Sequence, residues 1–436
     1  MKKRKTLLFT ILACGLFALT SCQNLKALFN DDDLSIHNSF NDIVSIPTSD
    51  QPKTGPCAHG VYALEVEDTP NAYCFKKIPY ANNGDDFVIN TYKEGAINHV
   101  EYNVNGGENY PSEKNKNNFD LYVPKDLDKT AKQTVVLFIH GGAWISGFKT
   151  DVNPYVYEFA NRGYISATIQ YTLLKKSMDD ASLSIFRDLD EIDACISTIK
   201  LALEDLEFDT SKISLVIGGA SSGAHLAMLY AYSRGHRSAL PIKFLIDAVG
   251  PVDIKPENWK KFNNASDEVL EAGLTYSAIE EQRSASNLGE LKVQDPDDNY
   301  NWNAYQTMRI ANGMCGIPYS TVEIRNSTDE NKEEIVYPNE ASNSMTKVGG
   351  GEDQVSVTYW INLSSNKYPM VCAYAGKDTV VGIAQFAKLE EAMTAKGIDY
   401  DLVYFKNGNH TDIKKDKDEA KYNDFVNKIL ARLAEI

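Results

Sequence analysis

The sequence predicts an α/β fold, a mainly parallel sheet with helices on both faces. Three observations carry this. From Thr134 onward, apolar strand-like runs alternate with segments of helical period. The strand-like runs are apolar throughout, the pattern of strands covered on both sides. A glycine-bracketed turn, Gly219-Ala220-Ser221-Ser222-Gly223, stands where one such run gives way to a helical one.

Taken in order, the chain opens on a basic cluster, Lys2, Lys3, Arg4 and Lys5, followed by an uncharged run from Thr6 to Thr20. Residues 1–21 read as a secretory signal, since the run falls short of the ~20 apolar residues a spanning helix needs. Leu19-Thr20-Ser21-Cys22 resembles the lipobox of bacterial lipoproteins, in which the Cys is acylated and becomes the new N-terminus. Two or more acyl chains on Cys22 would attach the protein stably to a bacterial membrane, either the outer membrane or the outer face of the cytoplasmic one. Residues 22–56 are polar, contain Asp31-Asp32-Asp33, and read as a tether, or as a short pre-domain packed on the body. A single body follows over 57–436.

Strand-like runs occur near His99–Val104 and Phe119–Val123, then at Thr134–Ile139 (TVVLFI) and Tyr164–Tyr171 (YISATIQY). Leu183–Leu206 places Ile185, Leu189, Ile192, Ile196, Ile199 and Leu203 on one helical face. Ile213–Ile217 is the next strand, followed by a helix through about Ser233. Lys243–Val249, Tyr368–Ala375 and Tyr400–Phe405 complete the strands. Helices are expected at Ile383–Lys396 and from about Asp418 to Leu433. The alternation breaks over 255–354, a polar stretch dotted with Trp and Tyr and read as a cap-like insertion over the C-terminal edge of the sheet.

The charge sum is −16, with 44 basic and 60 acidic residues. All four charges of 1–21 are positive, so the chain without them carries −20. That balance argues against nucleic acid as a partner. Of seven cysteines, Cys57 and Cys74 lie close enough in sequence for a local disulfide in an oxidising compartment. Cys195 and Cys372 fall in apolar segments and read as buried small hydrophobes. No spacing suggests a metal site, and no cofactor is implied.

The chemistry is concentrated at strand ends. Ser221, in G-x-S-x-G between a strand and a helix, has the setting of a nucleophile on a sharp turn. His140-Gly141-Gly142-Ala143-Trp144 follows TVVLFI, and amides at such a glycine-rich strand end can hold an oxyanion. Here His140 shapes the loop, and Gly142 and Ala143 supply amides. A serine needs a base, and the base needs an orienting acid. Of the histidines after Ser221, His225 reads as packed on the same helix and His236 as a surface helix end. His410, in a Gly-containing loop past the last strand, is the base. Asp378, in Gly376-Lys377-Asp378 past the preceding strand, is the acid. Asp412 is too near His410 in sequence to face its ring, and Asp353 lies in the insertion.

From about Phe119 to the C-terminus the chain resembles the α/β-hydrolase superfamily. The resemblance is to its HGG-motif esterase/lipase branch, the hormone-sensitive-lipase-like and BD-FAE-like carboxylesterases. FIHGGAW, RGYISATIQYTL, GGASSGAHLA, AGKDTVV and NGNH carry it. The resemblance implies a Ser221–His410–Asp378 triad and an oxyanion hole of the Gly142, Ala143 and Ser222 amides. It departs from the usual pattern at Ala143, where a third glycine is common, at Thr172 in place of Arg, at Ala224 in place of Gly, and in the length of 255–354. The expected activity is hydrolysis of short-acyl, phenolic or carbohydrate-linked esters by an exported, lipid-anchored serine esterase. Two alternatives stand beside it. One is a prolyl-oligopeptidase-type peptidase, although the repeats of its propeller are not seen. The other is a non-catalytic surface-binding lipoprotein with a hydrolase-like body.

Overall fold

The computed structural model describes residues 55–80, 87–90, 101–104, 117–144, 147–173, 185–254, 323–326, 333–336, 355–378 and 380–436. The signal, Cys22, nearly all of the tether, Cys315, Asp353 and most of 255–354 lie outside them. Among the described residues, no helix is long and apolar enough to cross a membrane.

Eight strands form the central sheet: β1 (Ala72–Pro79), β2 (Asn118–Pro124), β3 (Gln133–Ile139), β4 (Ile165–Gln170), β5 (Ile213–Ala220), β6 (Ile242–Ala248), β7 (Met370–Ala375) and β8 (Tyr400–Phe405). Their order in space is β1-β2-β4-β3-β5-β6-β7-β8. The pairs β1–β2 and β2–β4 are antiparallel, and every later pair is parallel. The C-terminal ends of β3 to β8 therefore open on one edge, where ligands of open α/β sheets bind.

Six helices are described: α1 (Asn153–Asn161), α2 (Ile185–Asp205), α3 (Ser222–Arg234), α4 (Val357–Leu363), α5 (Ile383–Lys396) and α6 (Glu419–Leu433). Each strand sends alternate side chains to opposite layers. Val135, Leu137 and Ile139 of β3 pack with α2, α3, α4 and α5, while Val136 and Phe138 pack with α1 and α6. Both faces are dry, which is why the strands read as unbroken apolar runs. Helix α3 is buried along its whole length, and its Arg234 is paired with Asp190 of α2.

Among β1–β8 and α1–α6, three elements escape the sequence reading. In β1, Lys76-Lys77 interrupts the apolar pattern; the register against β2 shifts between Phe75 and Ile78, and Lys77 has φ 59°. Such a bulge destroys the period-2 signal. Helix α1 begins with Pro154 in its first turn and buries Val156, Phe159 and Ala160, a short pattern easily absorbed into a loop. Helix α4 spans seven residues, two turns, too few for periodicity to register.

The disulfide expected between Cys57 and Cys74 is corrected: both are free thiols. Cys74 points into the α1/α6 layer of β1, whereas Cys57 sits half-buried in a two-residue strand pairing Val61–Tyr62. Cys195 and Cys372 are buried, as read from the sequence.

The insertion leaves after β6. Ile254 N–H donates to Ser356 Oγ at 3.0 Å, and Thr358 N–H to Val252 O, so the chain returns beside its point of departure. Within 255–354, only the antiparallel pair Glu323–Asn326 and Glu333–Val336 is described. A further pair, Phe87–Asn90 with Glu101–Val104, includes the end of the run expected near His99–Val104.

Candidate active site

Ser221 stands alone between β5 and α3, with φ 54° and ψ −124°. This is a conformation that L-residues avoid, so the turn is held by its surroundings. Ser221 N–H donates to Ala248 O at the end of β6 (2.8 Å), and Ser221 O accepts from His225 N–H. The bracketing glycines are required by close approach: a Cβ on Gly219 would lie 2.4 Å from the Gly223 carbonyl carbon, and one on Gly223 would lie 2.2 Å from Ile139 O. The turn thus presses directly on the end of β3.

The structure brings Ser221, His410 and Asp378 together. His410 Nε2 lies 2.9 Å from Ser221 Oγ, and His410 Nδ1 lies 2.7 Å from Asp378 Oδ2. Asp378 is buried. Its Oδ1 accepts backbone N–H groups from Val380 and Val381, both at 2.8 Å, leaving Oδ2 to the imidazole. A carboxylate only accepts, so Nδ1 carries the proton and Nε2 faces the serine hydroxyl as an acceptor. The two loops that carry the pair are joined, because Lys377 N–H donates to Gly408 O and Gly376 N–H to Phe405 O. Asp412 turns to its own loop and accepts from Asn409 N–H at 2.8 Å, away from the ring.

The loop after β3 borders the serine. A Cβ on Gly141 would lie 2.7 Å from Ala220 O and 3.1 Å from Ser221 Cβ. Gly142, Ala143 and Trp144 follow with φ of 123°, 52° and 63°. The Ser222 amide opens α3 beside Ser221, where the helix dipole favours negative charge. His140 is buried, stacks on Tyr171 with ring centroids 4.4 Å apart, and its Nδ1–H donates to Gly141 O (2.8 Å). Burial pushes its pKa down to about 4, so the ring is neutral and does not transfer protons at ordinary pH. Thr172, where the resemblance leads one to expect Arg, donates both N–H and Oγ1–H to Glu191, at 2.7 and 2.6 Å.

His225 is fully buried in α3, and His236 is exposed in a short turn after it. Neither reaches Ser221 Oγ. Sequence reasoning did not single out another buried acid, Asp247, at the end of β6. It lies across the sheet from Tyr374, and only the break in the apolar pattern KFLIDAV marks it. Among the described residues, no group of three or more His, Cys, Asp or Glu is placed to hold a metal ion.

A family model described as BD-FAE matches residues 119–292. Among curated proteins, the non-reducing polyketide synthase adrD of Penicillium rubens is 30% identical over 152 residues, covering 33% of this chain and 6% of that protein. The synthase ausA of Emericella nidulans is 23% identical over 319 residues, 67% of this chain and 12% of its own length. The chain therefore spans no more than 12% of either synthase. Esterase B from Lactobacillus rhamnosis superposes with a TM-score of 0.51 at 12% identity, covering 95% of this chain and 96% of that one. Strand order, the Ser221 turn and this whole-length likeness together give the chain the α/β-hydrolase fold.

Proposed function

We propose that the protein is a serine carboxylic-ester hydrolase. The observation that carries this is the continuous hydrogen-bonded line from Ser221 Oγ through His410 to the buried Asp378. Ser221 Oγ attacks the ester carbonyl while His410 Nε2 takes its proton. The carbonyl oxygen becomes an oxyanion, held by the Gly142, Ala143 and Ser222 amides. Collapse expels the alcohol, which receives the proton from His410. Water, deprotonated by the same nitrogen, then releases the acid and restores Ser221. Asp378 keeps the imidazole in the required tautomer and stabilises its protonated form.

For substrate, the reading is short-acyl, phenolic or carbohydrate-linked esters, supported by the mixture of Trp, Tyr and polar residues in 255–354. For location, it is an exported protein held on a bacterial membrane by acyl chains on Cys22, supported by the sequence of residues 1–22. Hydrolysis of acetyl, feruloyl and long-chain esters by wild type and Ser221→Ala tests the activity. Loss of turnover in the variant is expected, with preference for the short or phenolic acyl groups. Equal rates in the two proteins would overturn the reading. Mass spectrometry of the mature N-terminus tests acylation of Cys22.

A further inference from the structure

We propose that His225 is a positioning residue: its imidazole holds the oxyanion loop in place through the indole of Trp144. This rests on the esterase reading above. Ala143 and Trp144 occupy consecutive left-handed conformations. Non-glycine residues avoid this region because Cβ crowds the backbone, so contacts must hold the turn.

The Trp144 indole is buried, and its Nε1–H donates to His225 Nδ1 at 3.3 Å, with the two rings edge to face at 87°. An indole N–H can only donate, so Nδ1 presents its lone pair. Val355 O, which can only accept, lies 2.7 Å from Nε2, so Nε2 carries the proton. The two partners select one tautomer of a neutral ring. Burial acts in the same direction and pushes the ring's pKa down to about 4.

His225 N–H also donates to Ser221 O, at 3.1 Å. One residue therefore joins three parts of the site. These are the turn that carries Ser221, the loop that carries Gly142 and Ala143, and Val355, just ahead of α4. Losing the Trp144 contact would leave the strained turn free to relax and carry the two amides away from Ser221.

The test uses the full chain and p-nitrophenyl acetate, with kcat and KM measured separately. His225→Asn keeps an acceptor near Nδ1 and loses the donor to Val355. His225→Gln keeps a donor near Nε2 and loses the acceptor for Trp144. His225→Asn is expected within about threefold of wild-type kcat, whereas His225→Gln and Trp144→Phe each lower kcat about tenfold with little change in KM. The double variant Trp144→Phe/His225→Gln should be no worse than either single one. Equal losses in His225→Asn and His225→Gln, or additive losses in the double variant, would mean that His225 merely packs, and would overturn the proposal.

A second readout does not depend on turnover. The chain has 4 tryptophans, and Trp144→Phe identifies one indole N–H resonance by its loss. That resonance should move in His225→Gln and stay in His225→Asn; its staying in His225→Gln overturns the proposal. If Ser221→Ala hydrolyses the ester like wild type, the esterase reading fails, and the resonance still decides whether His225 holds Trp144.

Discussion

Tyr374 has one hydroxyl proton and two acceptors, for Asp247 Oδ2 and Gly250 O each lie 2.7 Å from its oxygen. Both contacts are hydrogen bonds only if Asp247 is protonated and donates to the tyrosine, which then donates to Gly250 O. Gly250 N–H closes the ring on Asp247 Oδ1 at 2.8 Å. Burial raises the Asp247 pKa to about 7 from its ordinary 3.8. The native state thus holds a proton that the unfolded chain gives up. Its full stabilising share is present below pH ~4 and fades as pH rises through about 7, with a slope of at most ~1.4 kcal/mol per pH unit. Asp247→Asn, which imitates the protonated acid, should match wild type near pH 4 and exceed it at pH 8 in urea unfolding.

In the proposed mechanism Ser221 and His410 act on one proton, so their losses should not add. Ser221→Ala and His410→Ala are each expected to lower kcat by roughly 10⁶, and the double variant by about the same. Steady-state kinetics on p-nitrophenyl acetate, with KM recorded beside kcat, checks this.

Asp378→Asn should be nearly as damaging without changing the fold. The Asn side chain can still accept from Val380 and Val381 through one oxygen, but its amide then faces His410 Nδ1 as a donor. The ring flips to the tautomer with Nε2–H, which cannot take the Ser221 proton. A kcat loss of roughly 10⁴ at neutral pH, with KM and melting temperature near wild type, is expected.

Gly219→Ala is predicted to fail through the backbone. The added Cβ meets Gly223 backbone atoms at 2.4 and 2.6 Å and Ile139 O at 2.6 Å, none of which can rotate away. Overpacking of this kind costs about 1–3 kcal/mol and displaces the Ser221 turn. Thermal unfolding and turnover should both decline, in contrast to Ser221→Ala, where only turnover does.

Much of the sheet edge was legible because each site residue follows a strand whose apolar run marks where it ends. Ser221, Asp378 and His410 could thus each be placed just past a strand end, Asp378 and His410 on adjacent strands, before any contact was known. The absence of other well-placed histidines narrowed the base further. What escaped depends on contacts distant in sequence or on broken periodicity. Trp144 meets His225 across 81 residues, and Tyr374 meets Asp247 across 127. Neither pair leaves a local pattern. The bulge at Lys76-Lys77 hid β1, and the free Cys57 and Cys74 illustrate that nearness in sequence says little about which way two side chains point.

The hydrogen bond from Ile254 to Ser356 makes the junction after β6 an exchangeable socket. Among the described residues, the two ends of 255–354 lie side by side, and the entropy of closing a flexible connection between fixed ends rises by only ~0.6 kcal/mol for each doubling of its length. Insertions and deletions between those ends can therefore accumulate at little cost to the hydrolase body. On the esterase reading proposed above, changes of length there would leave the Ser221–His410–Asp378 geometry as it is.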